Sequence, residues 1–507
     1  ASLDIIGRIA TPQEVEQFLK DPPATRRAQL IERLLAHEDY ARNWANLWTN
    51  WALTRSGPFS RGTYQEKMTV WFEDQFSLNT PYDKMVVKLL TATGNTEDNG
   101  ATNFLVAHVG LPNPPNKRKT EGQFDMVPIT SRISRLFLGI QTQCTQCHDH
   151  PFDNSLKQEH FWGLNAYLRQ VKSEGMRPTT DNRRGMGGKL TLTDDETVNV
   201  EAGVYYEKRN GVFKYTQARF LDGTKIPEGD RPAPDGKGNL PIQGAGRRFE
   251  LAQRVVNHEN FPKAYVNRMW AHFFGRGFCQ PFDDFNSQNQ ISMPELLDEL
   301  AAAFKHYGYD QKQLIRWVCN SKAYHLSCVA NKTNDKAEAE PYFSRMMLRP
   351  LTPEQLFESL MLATKAEAAE TRDGKTQVRN RWLGSLIANF GDDEGNEITF
   401  NGTVVQALMM MNGKEINDAI QRKDKGTLAM ISRSRGGYGD PNRRFYNRAI
   451  INDLYLTVLN RRPTDDEVSK ILRAFPLYRN VRDKDPAAPY HDLFWALLNS
   501  NEFMLNH

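Results

Sequence analysis

The stretch that decides the fold is residues 129–148, which read ITSRISRLFLGIQTQCTQCH. Its apolar residues recur at helical spacing, at Ile129, Ile133, Leu136, Phe137 and Ile140. This period predicts an amphipathic α-helix with one buried face. The helix runs directly into two cysteines and a histidine, so the packing pattern and the most informative chemical motif of the chain meet in one segment.

Cys144, Cys147 and His148 form a C-x-x-C-H unit. Two thiols three residues apart on one turn can each add to one vinyl group of a haem, which leaves the next residue under the iron. A histidine at that position offers an imidazole nitrogen as the proximal ligand. The motif therefore predicts one covalently attached haem c, held by Cys144 and Cys147, with His148 as an iron ligand.

Three other interpretations of the motif stay open. A zinc site needs about four ligands; His150 adds one beside His148, but the sequence has no second C-x-x-C or C-x-x-H pair. A thioredoxin-like redox pair follows a strand at the start of a helix, whereas these cysteines follow a predicted helix. The third interpretation is a chance match, because the bare spacing is only moderately specific.

Most of the remaining sequence also has a helical period. Capping signals mark several predicted helix starts, at Thr11 with Glu14, Ser292 with Glu295, Thr352 with Gln355 and Thr464 with Glu467. Other helices are predicted near residues 158–171 and 490–505, and Gly308 is a predicted stop for a helix at 292–306. The predicted fold class is mainly α, a multi-helix body in two helical blocks.

Residues 172–246 have a different character, rich in Gly, Pro and Asp at the flanks. In their middle, Asn210-Gly211 separates two β-prone runs, which is the strongest short-range signal for a β-hairpin. The sequence thus predicts a small β-hairpin insertion at 172–246. It separates a helical domain at 1–171, which carries the haem site, from a second helical domain at 247–507.

The composition excludes several classes of protein. The chain has 507 residues, 25% of them charged, with a net charge of +4, which is too small and too interspersed to indicate nucleic-acid binding. No stretch reaches the about 20 apolar residues that span a bilayer.

Arg247-Arg248 is predicted to lie at a solvated element end. The sequence does not decide whether Cys319 and Cys328 form a disulfide in an oxidising compartment.

Trp44, Trp48 and Trp51 fall on one stripe of a predicted helix, at positions i, i+4 and i+7. The favoured interpretation is a packed core face. The alternative is one wall of a large, flat, apolar cofactor pocket.

The sequence resembles a planctomycete family that combines a cytochrome-like domain, PSCyt2 (DUF1549), with a companion domain, PSD1 (DUF1553). The first resemblance rests on residues 144–153, CTQCHDHPFD, preceded by Ser131-Arg132 and Phe137-Leu138-Gly139. The second rests on residues 266–277, VNRMWAHFFGRG, with 283–285, DDF, and on later segments in the order of the family. These later segments are PELL at 294–297, LTPEQ at 351–355, QALMMMNG at 406–413 and LLNSNEF at 497–503.

The resemblance implies a cytochrome-like haem protein rather than a particular reaction. The family is found in large exported proteins, so the expected location is periplasmic or extracellular. The chain starts at Ala1-Ser2-Leu3 with no apolar signal segment, which we interpret as a processed or trimmed end. This sequence also lacks the separate cytochrome module that often precedes the two domains in this family; either the module was never present or it lies upstream of Ala1.

The sixth iron ligand decides what such a haem does. His272 is the favoured candidate, because it lies in an aromatic segment of the second predicted domain with Trp270, Phe273 and Phe274. The interpretation of His272 as a core histidine stays open beside it. Weaker candidates are His108, His160, Met176 and Met186. His150 is only two residues from His148, so we expect it to hydrogen-bond to nearby backbone or to an acid such as Asp149 or Asp153.

Three functions remain as hypotheses. The leading one is an exported mono-haem c-type protein that handles electrons, as a carrier or as the partner of another redox protein. The second is a haem-dependent oxidoreductase of peroxidase type that acts on extracellular substrates. The third is a non-catalytic assembly or surface-binding protein in which the haem, or the motif without haem, has a structural role. Whether the protein is an enzyme is therefore left open.

Overall fold

The structure is a computed structural model, and it describes residues 1–53, 63–109, 124–175, 189–195, 203–225, 246–366, 374, 377–379, 413–438, 447–475 and 485–506. Within these ranges the chain is mainly helical, with a few short strands in small sheets. The predicted fold class, mainly α, is confirmed. The sixth-ligand candidates Met176 and Met186 lie outside the described residues.

Helices α1 to α9 precede the hairpin. Their bounds are Ser2–Ile6, Pro12–Lys20, Arg26–Ala36, Glu38–Leu53, Thr63–Ser77, Tyr82–Thr91, Thr102–Ala107, Val127–Leu138 and Gln158–Ala166. Short 3₁₀ helices occur at Phe124–Met126 and Gln143–Gln146.

Helices α10 to α20 follow the hairpin. Their bounds are Gly246–Asn257, Asn260–Phe274, Pro294–His306, Gln311–Asn320, Pro353–Thr364, Lys414–Ile420, Thr427–Ser434, Arg448–Leu459, Asp465–Ala474, Ala488–Leu498 and Asn501–Met504. Two further 3₁₀ helices lie at Ala323–His325 and Ala337–Tyr342.

Most of the predicted capping signals are confirmed. Thr11, Thr352 and Thr464 each accept a hydrogen bond from the backbone of the residue three positions on, in complete capping boxes. The cap predicted at Ser292 is wrong. Its hydroxyl donates to the carbonyl of Phe278 at 3.1 Å, and Met293 occupies the N-cap position of α12 without a side-chain cap. A tertiary hydrogen bond has replaced a local one.

Within the described residues, the strands form three small antiparallel sheets. Strands β1 (Gly94–Asn95), β3 (Thr191–Asp194) and β2 (Val171–Glu174) make one sheet in the order β1-β3-β2. Strands β6 (Arg349–Pro350) and β7 (Leu505–Asn506) make another.

The predicted hairpin is confirmed. Strand β4 (Val204–Glu207) pairs with β5 (Phe213–Thr216), and Gly211 in the turn has a φ of 79°. This backbone conformation suits glycine because it has no Cβ. Val204 and Tyr206 face inward, and Tyr206 stacks on Trp162 of α9 with ring centroids 6.2 Å apart.

The buried apolar side chains of the described residues form two hydrophobic clusters. The larger one contains side chains from residues 5–346, so α10 to α13 pack into the same core as α1 and α3 to α9. The smaller one contains Ile9 and side chains from residues 351–503. The helices that follow the insertion therefore divide between the two cores.

The tryptophan stripe belongs to the larger core, which confirms the favoured interpretation. Trp44, Trp48 and Trp51 are at most 1% exposed. The ring of Trp48 stacks on Tyr265 of α11 at 6.0 Å, and Tyr265 lies 4.1 Å from the ring of Tyr82. Aromatic pairs of this kind stabilise a core by about 0.5–1.5 kcal/mol each beyond their buried area.

The prediction of a solvated Arg247-Arg248 pair is wrong, because the side chains are 2% and 1% exposed. The guanidinium of Arg248 forms an ion pair with the carboxylate of Asp194 in β3 and donates to the carbonyls of Leu90 and Ala92 at 2.9 and 2.7 Å. Arg248 therefore links α10 to the end of α6 and to the first sheet.

All five cysteines are free thiols, so the disulfide left open between Cys319 and Cys328 is not formed. Cys279 and Cys319 are buried. Burial raises the pKa of the Cys279 thiol to about 12, which keeps it protonated. Among the described helices, we find none with the length and apolar character needed to cross a membrane.

Candidate functional site

Helix α8 leads into the cysteine motif, as predicted. Its apolar face is buried, and Gly139 ends it with a φ of 62°. The amides of Gly139 and Ile140 donate to the carbonyls of Arg135 and Ser134, at 3.2 and 3.1 Å. This paired termination turns the chain sharply into the short 3₁₀ helix Gln143–Gln146.

The inner side of this turn is fixed by small hydroxyl side chains. Thr145, 1% exposed, donates through its hydroxyl to the carbonyl of Thr142 at 2.6 Å. The hydroxyl of Thr142 is hydrogen-bonded to that of Ser134 in α8 at 2.8 Å. Thr145, one of the two residues between the cysteines, is thus linked through Thr142 to the preceding helix.

Helix α9 holds the turn from a second direction. The side-chain amide of Gln158 and the indole Nε1 of Trp162 both donate to the carbonyl of Gln146, at 3.1 and 3.0 Å. The same Gln158 amide donates to the carbonyl of Glu207 at 2.8 Å. One side chain thus connects the cysteine turn with the β-hairpin.

The reactive groups of the motif point outward from this rigid base. Cys144 and Cys147 are both exposed and free. The Nδ1 atom of His148 lies 2.6 Å from the carbonyl oxygen of Asp149. A carbonyl only accepts, so Nδ1 carries the proton, and Nε2 of the neutral ring keeps its lone pair. Iron- and zinc-bound histidines commonly have this arrangement.

His150 has a structural role, as expected. Its Nδ1 accepts from the backbone amides of Asp153 and Phe152 at 2.9 and 3.3 Å. The side chain of Phe152 is 70% exposed beside it, which places an apolar surface next to the motif.

The two carboxylates that follow His148 have lowered pKa values. The backbone amide of Gln158, which donates to Asp149 at 3.0 Å, is the main cause for that residue. The pKa of Asp153 is lowered chiefly by the hydroxyl of Ser155, with a further contribution from the backbone amide of Ser287. Both groups are therefore charged at neutral pH, next to the motif.

A loop of the second helical block packs against the motif, which the sequence did not reveal. Asp283, 1% exposed, accepts from Nε of Arg135 at 2.6 Å and from Nε2 of Gln141 at 3.2 Å. The amide of Phe285 donates to the carbonyl of Gly139 at 2.7 Å. The DDF segment was the available signal, but the partners of Asp283 lie 148 and 142 positions away along the chain.

His272 lies in the larger core, between α11 and the start of the chain. Its Nε2 is 3.2 Å from the carbonyl oxygen of Asp4, and its ring packs edge-on against Trp44 at 5.2 Å and Trp51 at 6.2 Å. Burial lowers the pKa of this imidazole. These partners belong to α1 and α4, whereas the cysteine turn is held by α8 and α9.

The two weaker histidine candidates also have local partners. Nε2 of His108 is 2.6 Å from the carbonyl oxygen of Ala52. Nδ1 of His160 accepts from the amide of Lys157 at 3.1 Å, and burial lowers the pKa of His160.

The donor set of the motif fits a c-type haem better than a zinc ion. Among the described residues, no group of three or more His, Cys, Asp or Glu side chains converges as a metal site would require. Two exposed thiols on one turn, with a histidine whose Nε2 is available, suit covalent attachment of a porphyrin. Cys144 and Cys147 would hold the haem, and His148 would ligate its iron.

The fold and the site define a mainly α-helical protein built around an outward-facing C-x-x-C-H turn. Residues 1–173 match the family model PSCyt2, described as a protein of unknown function (DUF1549). Residues 247–383 match PSD1, also described as a protein of unknown function (DUF1553). The two matches, in this order along the chain, confirm the predicted resemblance to the PSCyt2 and PSD1 domains. Comparisons with curated proteins and with solved structures gave no significant match.

Proposed function

We propose that the protein is an extracytoplasmic, cytochrome-like carrier of one haem c, attached through Cys144 and Cys147 and ligated by His148. In this proposal it handles electrons, as a carrier or as the redox partner of another protein. When bound, the haem supplies one-electron chemistry at its iron. The family name is consistent with a cytochrome-like role but assigns no function.

The observation that best supports the proposal is the hydrogen bond made by Nδ1 of His148. The 2.6 Å contact of its Nδ1 with the carbonyl of Asp149 fixes the tautomer and the ring direction. The nitrogen that remains, Nε2, is the one with a free lone pair. It belongs to the residue directly after the second exposed thiol.

Attachment would use only groups of the motif. Each thiol adds across one vinyl C=C bond, so that sulphur bonds to one carbon and the thiol hydrogen passes to the other. Nothing leaves and no oxidant is needed. The turn supports this step because Thr145 and the carbonyl of Gln146 hold its backbone while both sulphur atoms remain at the surface.

The test is an absorption spectrum with pyridine haemochrome analysis on protein matured outside the cytoplasm. We expect a c-type spectrum at one haem per chain. It should be lost in a Cys144→Ala/Cys147→Ala variant and retained in a Cys328→Ala control, which removes a thiol away from the motif. A colourless wild type, under conditions that mature a control cytochrome, would contradict the proposal.

The role of His272 as sixth ligand is a separate part of the proposal. The imidazole would have to leave the carbonyl of Asp4 and the rings of Trp44 and Trp51, so ligation requires a rearrangement of this cluster. A low-spin spectrum that becomes high-spin in His272→Ala, but not in a His108→Ala control, would support it. An identical spectrum for wild type and His272→Ala would exclude it.

The same spectra separate the carrier from the other two functions. A six-coordinate haem whose spectrum does not change with carbon monoxide or cyanide supports the function of an electron carrier. A high-spin haem that binds both supports an oxidoreductase of peroxidase type. Correctly exported protein without haem leaves the motif a structural role.

A further inference from the structure

The tip of the β-hairpin carries an asparagine that is followed by glycine, and both residues are exposed to solvent. The amide of Lys208 donates to the carbonyl of Val212 at 2.8 Å, which closes a three-residue hairpin loop. Asn210 and Gly211 lie inside this loop and are exposed. The amide of Gly211 donates to the carbonyl of Lys208 at 2.8 Å, and its φ of 79° is the left-handed conformation expected at that position.

An asparagine in front of a glycine can react with its own backbone. The backbone nitrogen of Gly211 would attack Cγ of Asn210, so that a new C–N bond closes a cyclic imide. The bond between Cγ and Nδ2 breaks, and Nδ2 leaves as ammonia together with the proton of the Gly211 amide. Water then opens the ring at either carbonyl and gives aspartate or isoaspartate. No electrons are exchanged, and glycine favours the attack because it has no Cβ to hinder it.

The side chain of Asn210 is polarised in the direction that this attack requires. Its Oδ1 accepts a hydrogen bond from the backbone amide of Val212 at 3.2 Å. Asparagine side chains commonly make this contact with the backbone two residues further on. An N–H group aimed at a carbonyl oxygen also stabilises the negative charge that develops on that oxygen when a nucleophile adds.

The hydrogen bond of the Gly211 amide has to open before its nitrogen can attack. Residues 209–215 are all exposed, so water can replace the carbonyl of Lys208 as the partner. Local opening at an exposed loop tip requires much less free energy than opening of a packed segment. The fold therefore leaves this asparagine accessible to the reaction.

A second Asn-Gly pair in the described part of the chain provides a matched comparison. Oδ1 of Asn99 accepts from the amide of Ala101 at 3.2 Å, which is the same local contact as at Asn210. Here, however, Nδ2 of Asn99 donates to the carbonyl of Thr93 at 3.1 Å, and Gly100 is buried. A Cβ added at Gly100 would collide with the carbonyl oxygen of Lys67 in α5. Packing thus holds the backbone that would have to move.

We propose that Asn210 is a site of spontaneous deamidation in the folded protein and that the fold protects Asn99 from the same reaction. The sequence has two more Asn-Gly pairs, but Asn401 and Asn412 lie outside the described residues. The inference does not depend on the proposed haem function, because the reaction needs only water.

The products would change the end of the hairpin that is joined to the cysteine turn. Both products place a carboxylate where a neutral amide stands. Isoaspartate also lengthens the loop backbone by a methylene group, so Lys208 and Val212 cannot keep their present pairing. Glu207, the next residue along the strand, offers the carbonyl that accepts from Gln158. The modification would therefore act on the strand end that Gln158 connects to the turn.

The test follows both asparagines in one sample by peptide mapping with mass spectrometry. One portion of the full chain is incubated folded in mildly alkaline buffer, and a second portion is incubated unfolded in guanidinium chloride. Heavy-oxygen water in the incubation buffer labels the acids that form during incubation, so conversion during later peptide preparation is not counted.

We expect Asn210 in the folded chain to convert at least about tenfold faster than Asn99. In the unfolded chain the two rates should agree within about threefold, because packing no longer distinguishes the pairs. Gly211→Ala should slow conversion at Asn210 and leave Asn99 unchanged. The added Cβ has nothing within 4 Å in the fold, so it hinders the attack without a clash elsewhere.

Equal rates at Asn210 and Asn99 in the folded chain would overturn the proposal. An Asn210 that converts in the unfolded chain but stays intact in the folded one would also overturn it, since the loop would then protect this residue as well. Neither result bears on the haem, which the haemochrome analysis tests separately.

Discussion

The carboxylate of Asp283 accepts a hydrogen bond from Nε of Arg135 at 2.6 Å, and both side chains are largely shielded from water. Arg135 lies in α8, which leads into the cysteine turn, whereas Asp283 belongs to the part of the chain that matches PSD1. The second family domain therefore contacts the helix that leads into the C-x-x-C-H motif.

Asp283→Ala should destabilise the protein by about 3–5 kcal/mol, because it leaves the buried guanidinium of Arg135 without its carboxylate. Asp283→Asn should cost less, since the amide oxygen still accepts. Urea unfolding measures both values. The control is Asp298→Asn, which removes an exposed pair with Lys263 and should cost less than about 1 kcal/mol. Equal losses at Asp283 and Asp298 would contradict a role in domain coupling.

Gly139→Ala should be more harmful than Gly308→Ala, although both glycines have a positive φ, of 62° and 67°. An added Cβ at Gly139 would lie 2.5 Å from the ring of Phe285, whereas nothing lies within 4 Å at Gly308. Backbone strain alone costs about 1–2 kcal/mol at either site. The excess loss at Gly139, measured by thermal unfolding, reports the contact with Phe285. No excess would mean that the ring moves aside freely.

Arg248→Ala should destabilise the fold by about 3–5 kcal/mol, because Asp194 is then a buried carboxylate without its partner. The double variant Arg248→Met/Asp194→Leu should recover much of this loss, since apolar groups of similar volume replace both charges. Urea unfolding of the single and double variants tests the point. A double variant no more stable than Arg248→Ala would contradict the unpaired Asp194 carboxylate as the main cost.

Local patterns were predictable from the sequence, and long-range ones were not. The capping boxes at Thr11, Thr352 and Thr464 and the hairpin turn at Asn210-Gly211 depend on neighbours within a few positions. The helix predicted at residues 490–505 existed only in part. It ends at Leu498, and Ser500 caps a new short helix.

The errors share one physical cause. The first sheet joins residue 94 to strands at 171–174 and 191–194, and such pairings leave no mark on local periodicity. Arg248 looked like a surface residue because its carboxylate partner is 54 positions away. At the site, the sequence identified the reactive groups, but it missed Asp283, Gln158 and Trp162, which hold the turn through contacts across the fold.

The stability of the protein should depend on pH below about 4 through Asp4. Burial would raise the pKa of this carboxyl, but Arg349 and other nearby groups lower it to about 2. The folded pKa is below the unfolded value of 3.8, so the stabilising effect is complete above about pH 4 and is lost as the pH falls towards 2.

Asp4→Asn should therefore flatten the dependence of Tm on pH between about 4 and 2, where wild type loses of order 2 kcal/mol. Differential scanning calorimetry across that range makes the comparison. Asp298→Asn, at an exposed position, serves as the control and should follow wild type. Parallel curves for wild type and Asp4→Asn would show that other carboxyl groups govern acid unfolding.

Asp4 also accepts a hydrogen bond from Asn506, a residue 502 positions further along the chain. Contacts of such large sequence separation are slow to form. The carboxylate of Asp4 accepts from Arg349 and from Asn506 together, at 2.9 and 2.8 Å. Loss of this one carboxylate would therefore release α1 from the residues that precede α14 and from those that follow α20 at the same time.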